Sequence, residues 1–354
     1  MENSTDQFSH NVNDMVRVTP YLIITFMVIL GVVGNAFVVV AVFTYRTLRI
    51  VPNYYIASLA VADFLVALII MPFGLYSEIN RGHWYLGEGL CKTWIILDVM
   101  LSTSSILHLF IISRDRLRAI TKPVKYAFNR TNKAAATRIF GVFLLSGLVS
   151  MPALFVSTTN GNSCGFTENP VYIITSSLVS FYIPCSVMLV MYYRIYKAAS
   201  KRARRPISPS NPPTVGTRLS RTVPEIAVTS RASQSQSNET RRPHQMPRRL
   251  ESSLSLSAVE TQSCRSAHVS LRIERKAARV IAIVVGVFVS CWLPFFTLHV
   301  TSALCRNCTV TREMYVGLSW LGWSNSVINP IIYTVFNKEF RSGFKRIIHC
   351  RFKS

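Results

Sequence analysis

Residues 93–112 read TWIILDVMLSTSSILHLFII, twenty residues in which one carboxylate, Asp98, stands among apolar side chains and small hydroxyls. A helix of about twenty residues covers the ~30 Å hydrocarbon core of a bilayer, so the stretch has the length of a membrane span. Placing a carboxylate near the bilayer centre costs about 2.5–3.5 kcal/mol on insertion scales, and residues that bear such a cost mark function. The natural partner of a solitary anion there is a cation.

Working outward, six more apolar segments of similar length fall at 21–45, 54–77, 139–157, 171–193, 280–298 and 314–335. The 354-residue chain is 50% hydrophobic and its charge sits in a few blocks, which excludes an ordinary soluble domain. The expected fold is an all-α membrane protein, a seven-transmembrane helix bundle. Its parts are an outer N-terminus (1–19), spans one to five (20–198), a loop (199–271), spans six and seven (272–336) and an amphipathic helix with a tail (337–354). The whole connection 194–279 opens with Arg194, Lys197, Lys201, Arg202, Arg204 and Arg205 and closes with Arg272, Arg275, Lys276 and Arg279, whereas 158–170 has no Lys or Arg. Positive residues stay inside, so the N-terminus faces out and the expected location is the plasma membrane. Most of the +23 net charge would then meet anionic inner-leaflet lipid and acidic partner surfaces. Charge that flanks spans argues against nucleic-acid binding.

From about Pro206 to His268 the loop is rich in Ser, Pro, Thr, Gln and Arg, a composition that predicts disorder. Asn3-Ser4-Thr5 is a glycosylation sequon on the outer side; Asn129-Arg130-Thr131 and Asn238-Glu239-Thr240 match the pattern but fall inside. Cys91 and Cys164 share the oxidising side and could be bridged. Cys305 and Cys308 also face out, as a small loop disulfide or a free pair; a zinc site would need two further ligands. Cys350, after a basic amphipathic stretch, is a palmitoylation candidate. Asp98, Ser102 and Ser105 are spaced i, i+4, i+7 and share one helix face.

Gly34-Asn35, Leu59-Ala60-Val61-Ala62-Asp63, Asp115-Arg116, Cys291-Trp292-Leu293-Pro294 and Asn329-Pro330-Ile331-Ile332-Tyr333 occur in that order on spans one, two, three, six and seven. In this the chain resembles rhodopsin-type G protein-coupled receptors, everywhere except the N-terminus and 206–268. Asp98 and the residues after it resemble the amine-anchoring stretch of dopamine and type 2 serotonin receptors. The resemblance implies a biogenic-amine receptor, with dopamine or a related catecholamine as the ligand, and serotonin or a weakly signalling amine binder as the alternatives. It assigns ligand contacts to Asp98, Val99, Ser102, Thr103, Ser176, Ser177, Ser180, Trp292, Phe295, Phe296, His299, Trp320 and Trp323. The serines of span five would meet ring hydroxyls, with one of them bonded back to its own helix. An activation switch is implied in Asp115, Arg116, Tyr192, Glu274, Trp292, Asn329, Pro330 and Tyr333, with Arg116 holding Glu274 in the inactive state.

Asp63, Asn35, Ser105, Asn325, Ser326 and Asn329 resemble the family's sodium site, the alternative being a water-filled network without an ion. No other cofactor is implied. Implied partners are a small-molecule amine, a heterotrimeric G protein, receptor kinases, arrestin and membrane lipid. The chain departs from the family at Leu117, where Tyr usually follows Asp-Arg, at the added Arg114, at Phe143 in place of Trp, and at Trp323 in place of Tyr. An indole donates but cannot accept, so Asp98 keeps a partner while the pocket narrows toward small primary amines. Span seven lacks a Schiff-base lysine, no repeat suggests a transporter, and no nucleophile with a base suggests an enzyme.

Overall fold

The computed structural model describes residues 2–122, 125–126, 128, 130–156, 158–160, 163–165, 169–203, 279–305 and 307–348, with backbone alone for 2–17, 156, 158–160, 199, 201–203 and 348. Its helices are α1 (Glu2–Thr44), α2 (Val51–Ile79), α3 (Glu88–Thr121), α4 (Asn132–Ser150), α5 (Pro170–Ala198, running on to Ala203), α6 (Arg279–Leu304), α7 (Arg312–Phe336) and α8 (Lys338–Ile348). Among the described residues, six helices, α1 to α6, are long and apolar enough to cross a bilayer. At 1.5 Å per residue the 25 residues of α7 are also long enough, at about 38 Å. Its buried face, however, carries Asn325, Ser326 and Asn329 in place of aliphatics. The chain is thus an all-α membrane bundle. One addition to the expectation is a small antiparallel hairpin, β1 (Thr158–Asn160) with β2 (Ser163–Gly165), in which Thr159 faces Cys164.

The helix starts are written locally. Thr131, Asn169 and Thr311 each accept hydrogen bonds from backbone N–H groups of the first turn of α4, α5 and α7, and Pro170 occupies the first position of α5. The core is continuous from Val38 through Leu59, Ala62, Ile106, Phe288 and Val327, all buried. Large apolar residues on the other faces stay exposed, among them Phe26 and Ile29 on α1, Phe140 and Leu148 on α4, and Ile183 and Val190 on α5. A bilayer, not water, is the solvent that such a surface suits.

Two close approaches fix how α7 sits. A Cβ on Gly34 would lie 3.1 Å from the Pro330 ring, so α1 and α7 meet there only because residue 34 is glycine. Pro330 has no N–H to give the carbonyl of Ser326 four residues back. Asn35 repairs this: its Nδ2 donates to the Ser326 carbonyl at 2.9 Å. Where Phe143 replaces Trp on α4, the His108 ring of α3 packs edge-on against it at 5.2 Å and reaches Ser58 Oγ of α2 at 2.7 Å. The short α8 buries Phe340 and Phe344 and so lies along the Tyr333 end of the bundle.

Candidate functional site

The cavity around Asp98 has a volume of about 120 Å³ and is lined from α3, α5, α6 and α7. Asp98 Oδ1 accepts the indole N–H of Trp323 at 3.0 Å and the Ser102 hydroxyl at 3.4 Å, while Oδ2 has no donor among the described residues. The indole partner expected from the Trp323 departure is therefore in place. Val99 and Thr103 line the same wall, Ser176 and Ser180 come from α5, and Trp292, Phe295, Phe296 and His299 from α6. Phe296 stacks on Phe181 at 4.4 Å and Phe295 stacks on His299 at 5.6 Å, so the aromatic wall is already packed on itself.

Two assignments move. Ser177 is fully buried but does not line the cavity: it lies one residue, about 100° of helix turn, from Ser176, and the π turn at Leu178–Tyr182 changes the phase only of the residues after it, such as Ser180. Trp320 lines a wider outer cavity of about 1230 Å³ and not the inner one, and meets Trp323, which lines both, edge-on at 4.9 Å. Trp94, Phe295, His299, Ser319 and Trp323 line both cavities and form the neck between them. As expected, one serine is bonded to its own helix, Ser176 to the Ile173 carbonyl at 3.2 Å. The hydroxyls of Ser177 and Ser180 are buried with no partner among the described residues.

Five further residues line the inner cavity: Trp94, Tyr172, Phe181, Phe288 and Ser319. Each lies four residues before or after a residue singled out above, namely Asp98, Ser176, Ser177, Trp292 and Trp323. The i, i+4 rule would have found all but Phe181, whose reference Ser177 lies off the cavity and whose own place is inside the π turn. Glycines make room for the bulky pair. A Cβ on Gly74 would come within 2.7 Å of the Trp323 ring and one on Gly322 within 2.8 Å of Trp292.

At the mouth, Cys91 and Cys164 are disulfide-bonded with Cα atoms 5.8 Å apart, which ties β2 to the first turn of α3. Cys305 and Cys308 are also bonded, as expected of the small loop. Glu78 of α2 and Arg312 of α7 form an ion pair at 2.7 Å beside the same opening.

Deeper in the bundle, Asp63 is fully buried and accepts hydrogen bonds from Ser105 (3.2 Å), Ser326 (2.9 Å) and Asn329 (2.8 Å). Asn35 and Asn325 make no bond to it. The side-chain carbonyl oxygens of Asn35, Asn325 and Asn329 are buried with no donor among the described residues, and oxygens of this kind together with a carboxylate are the donor set of a hard cation. The residues therefore fit the sodium site that the resemblance implies.

At the far end of α3, Asp115 accepts a 2.8 Å bond from the Tyr126 hydroxyl, a partner the motif reading missed. Burial and then the charge of Asp115 hold the Tyr126 phenol above its usual range. Arg116 and Tyr192 are half-buried and Tyr333 is buried. Glu274, Cys350 and the 206–268 stretch lie outside the described residues, as does the side chain of Asn3.

Residues 34–333 match the family described as 7 transmembrane receptor (rhodopsin family). The chain is 34% identical over 341 residues to octopamine receptor beta-2R of Chilo suppressalis, covering 94% of this chain and 80% of that one. It is 36% identical over 330 residues to 5-hydroxytryptamine receptor 1F of Homo sapiens (90% and 89%) and 35% identical over 343 residues to dopamine receptor 1 of Drosophila melanogaster (93% and 62%). These are receptors and not enzymes, and the match runs from the Gly34-Asn35 motif to Tyr333. The chain belongs to the rhodopsin family of seven-transmembrane G protein-coupled receptors, in its biogenic-amine group.

Proposed function

We propose that the chain is a plasma-membrane receptor for dopamine or a related catecholamine, with its N-terminus and the Cys91–Cys164 disulfide outside. The observation that carries this reading is one small cavity that holds both a lone carboxylate, Asp98, and α5 hydroxyls, including the unpartnered Ser180. The ligand ammonium would take Asp98 Oδ2, the oxygen that Trp323 and Ser102 leave open, in a charge-assisted bond. Ring hydroxyls would meet Ser180 and Ser176, and the aromatic ring would lie against Phe295 and Phe296. The outer cavity is the entry path. Asp63 with Ser105, Ser326 and Asn329 would hold a sodium ion, which supplies a compensating charge for the buried carboxylate.

Binding favours the state in which α5 and α6 close on the amine, and that differential affinity separates the inner ends of the bundle. Arg116 then leaves Glu274 and a heterotrimeric G protein enters; receptor kinases and arrestin follow on the Ser-rich loop. A second reading rests on the lining itself. With Ser177 out of the cavity and Ser176 bonded to Ile173, Ser180 is the one α5 serine in it whose hydroxyl has no partner among the described residues. That suits a ligand with a single ring hydroxyl, such as serotonin, octopamine or tyramine. Second-messenger responses to dopamine, serotonin, octopamine and tyramine in transfected cells, with Asp98→Ala as control, decide between them. A response to dopamine lost in Asp98→Ala supports the first reading. A selective response to a monohydroxylated amine overturns it for the second, and silence to all with the protein at the surface overturns both.

A further inference from the structure

The amine carboxylate and the Asp115-Arg116 pair stand on one helix, α3, and both of its ends adjoin open space. Asp98, Val99, Ser102 and Thr103 line the inner cavity, while Ile111, Arg114, Asp115 and Arg118 line a cavity of about 220 Å³ at the other end. Residues 104–110, between them, line neither of these nor the outer cavity. In that stretch stands His108, fully buried. Its Nδ1 lies 2.7 Å from the Ser104 carbonyl, which can only accept, so Nδ1 carries the proton and Nε2 accepts the Ser58 hydroxyl of α2 at 2.7 Å. The same ring meets Phe143 of α4 edge-on at 5.2 Å. Among the described residues three side-chain hydrogen bonds join α3 to α2. Trp94 reaches the Ile70 carbonyl at 3.2 Å, and Ser105 reaches Asp63 at 3.2 Å while sharing its hydroxyl with the Leu101 carbonyl at 3.1 Å. The His108 bond is the shortest of the three.

We propose that His108 is the fulcrum on which α3 tilts, so that a pull on Asp98 arrives at Arg116 as a movement of opposite sense. A stiff helix gripped by two neighbours at its middle, with free volume beside both ends, pivots more readily than it slides, because a close-packed contact resists displacement where a cavity does not. His108 comes ten residues after Asp98 and eight before Arg116. At 1.5 Å per residue the two arms are about 15 and 12 Å, so a displacement of about 1 Å at Asp98 gives about 0.8 Å at Arg116. Phe143 has no hydrogen-bonding group, so both imidazole nitrogens are spent within α3 and on α2, and the departure at that position acquires a role. His108 touches neither ligand nor G protein and acts as a positioning residue. The inference rests on the two-state reading proposed above and adds to it the residue that couples the two ends.

The test is ¹⁹F NMR on the full-length receptor in nanodiscs, with Cys264→Ser and Cys350→Ser and a trifluoromethyl probe attached at Thr93→Cys (outer end of α3) or Arg118→Cys (inner end), both exposed positions. Two perturbations act on the outer end: dopamine, and Trp323→Phe, which takes the indole bond from Asp98 without any ligand. In the parent each should shift both resonances. Ser58→Ala and His108→Leu should keep the shift at the outer probe and lose most of it at the inner one. His108→Gln, whose amide reaches about where the imidazole Nε2 stands, should retain both. Dopamine affinity should stay within about threefold in all three variants. The G protein response per occupied receptor should fall about two- to thirtyfold in Ser58→Ala and His108→Leu, the range for a residue on a coupling path. An inner probe that neither perturbation moves in the parent, or one that moves as before in Ser58→Ala and His108→Leu, overturns the fulcrum. His108→Gln as defective as His108→Leu reduces His108 to packing and overturns it too. If Trp323→Phe gives the expected pattern and dopamine shifts neither probe, the fulcrum stands and dopamine fails as the ligand.

Discussion

Replacing Trp323 by Tyr should change which amines the receptor accepts more than how tightly it holds the smallest one. The indole is fixed on three sides: its N–H is 3.0 Å from Asp98 Oδ1, Trp320 and Trp94 meet it edge-on at 4.9 and 6.4 Å, and its ring fills the slot left by Gly74. It therefore occupies space beside the carboxylate that N-alkyl groups of a ligand would need. Tyrosine is smaller and still carries a donor, so the ammonium bond to Asp98 survives the change. Each methylene-sized group newly accommodated is worth about 0.8 kcal/mol, or about fourfold in affinity. An N-methyl amine should gain about fourfold and an N,N-dimethyl amine about fifteenfold relative to the primary amine. Competition binding on membranes with the three homologues of one amine measures these ratios directly. Trp323→Phe makes the companion case, since it opens the same space but removes a hydrogen bond to a charged group, worth about 1.5–3 kcal/mol, and should cost stability as well. Ratios within twofold of the parent receptor in both variants would refute the idea that the indole gates amine size.

Gly74→Ala should act in the opposite sense: its Cβ would stand 2.7 Å from the Trp323 ring, so the indole must move off Asp98, and a drop in thermal stability with weakened binding of every amine is expected in ligand-stabilised unfolding. Ser180→Ala should weaken a ring-hydroxylated amine by about two- to tenfold through one lost hydrogen bond, while Ser177→Ala, outside the cavity, should leave competition binding within about twofold. Cys164→Ser opens a loop of 73-residue separation, for which chain entropy gives roughly 4 kcal/mol, whereas Cys305→Ser opens one of three residues and roughly 2. Surface expression and unfolding temperature should follow that order, and equal effects would count against it.

What the sequence made legible was set by how local the cause is. The spans were readable because a bilayer needs a run of apolar residues: 54–77, 93–112, 171–193, 280–298 and 314–335 each lie within a helix that extends them, as α3 does to Glu88–Thr121 because polar ends cost nothing outside the hydrocarbon, whereas 21–45 and 139–157 overrun the ends of α1 at Thr44 and α4 at Ser150. Trp94, Tyr172, Phe288 and Ser319 followed a helical repeat and were overlooked only for want of stepping four positions from each motif, whereas Phe181 sits in a π turn, which has no dependable sequence signature. Ser177 was different. Ser176 and Ser177 point about 100° apart on α5, so only one of them faces the cavity, and residue spacing does not say which. The β1–β2 hairpin and the Tyr126–Asp115 bond likewise depend on where a loop returns, which residue spacing does not specify. The departures carry the argument furthest. Trp323 in place of Tyr reads in isolation as a steric fault, because an indole does not fit where a phenol did. Gly74 removes that fault from another helix, and Asn35 likewise supplies from α1 the donor that Pro330 withholds from Ser326 in α7. In both cases the strange residue and its remedy are far apart in the chain, so neither explains itself until the bundle brings them together.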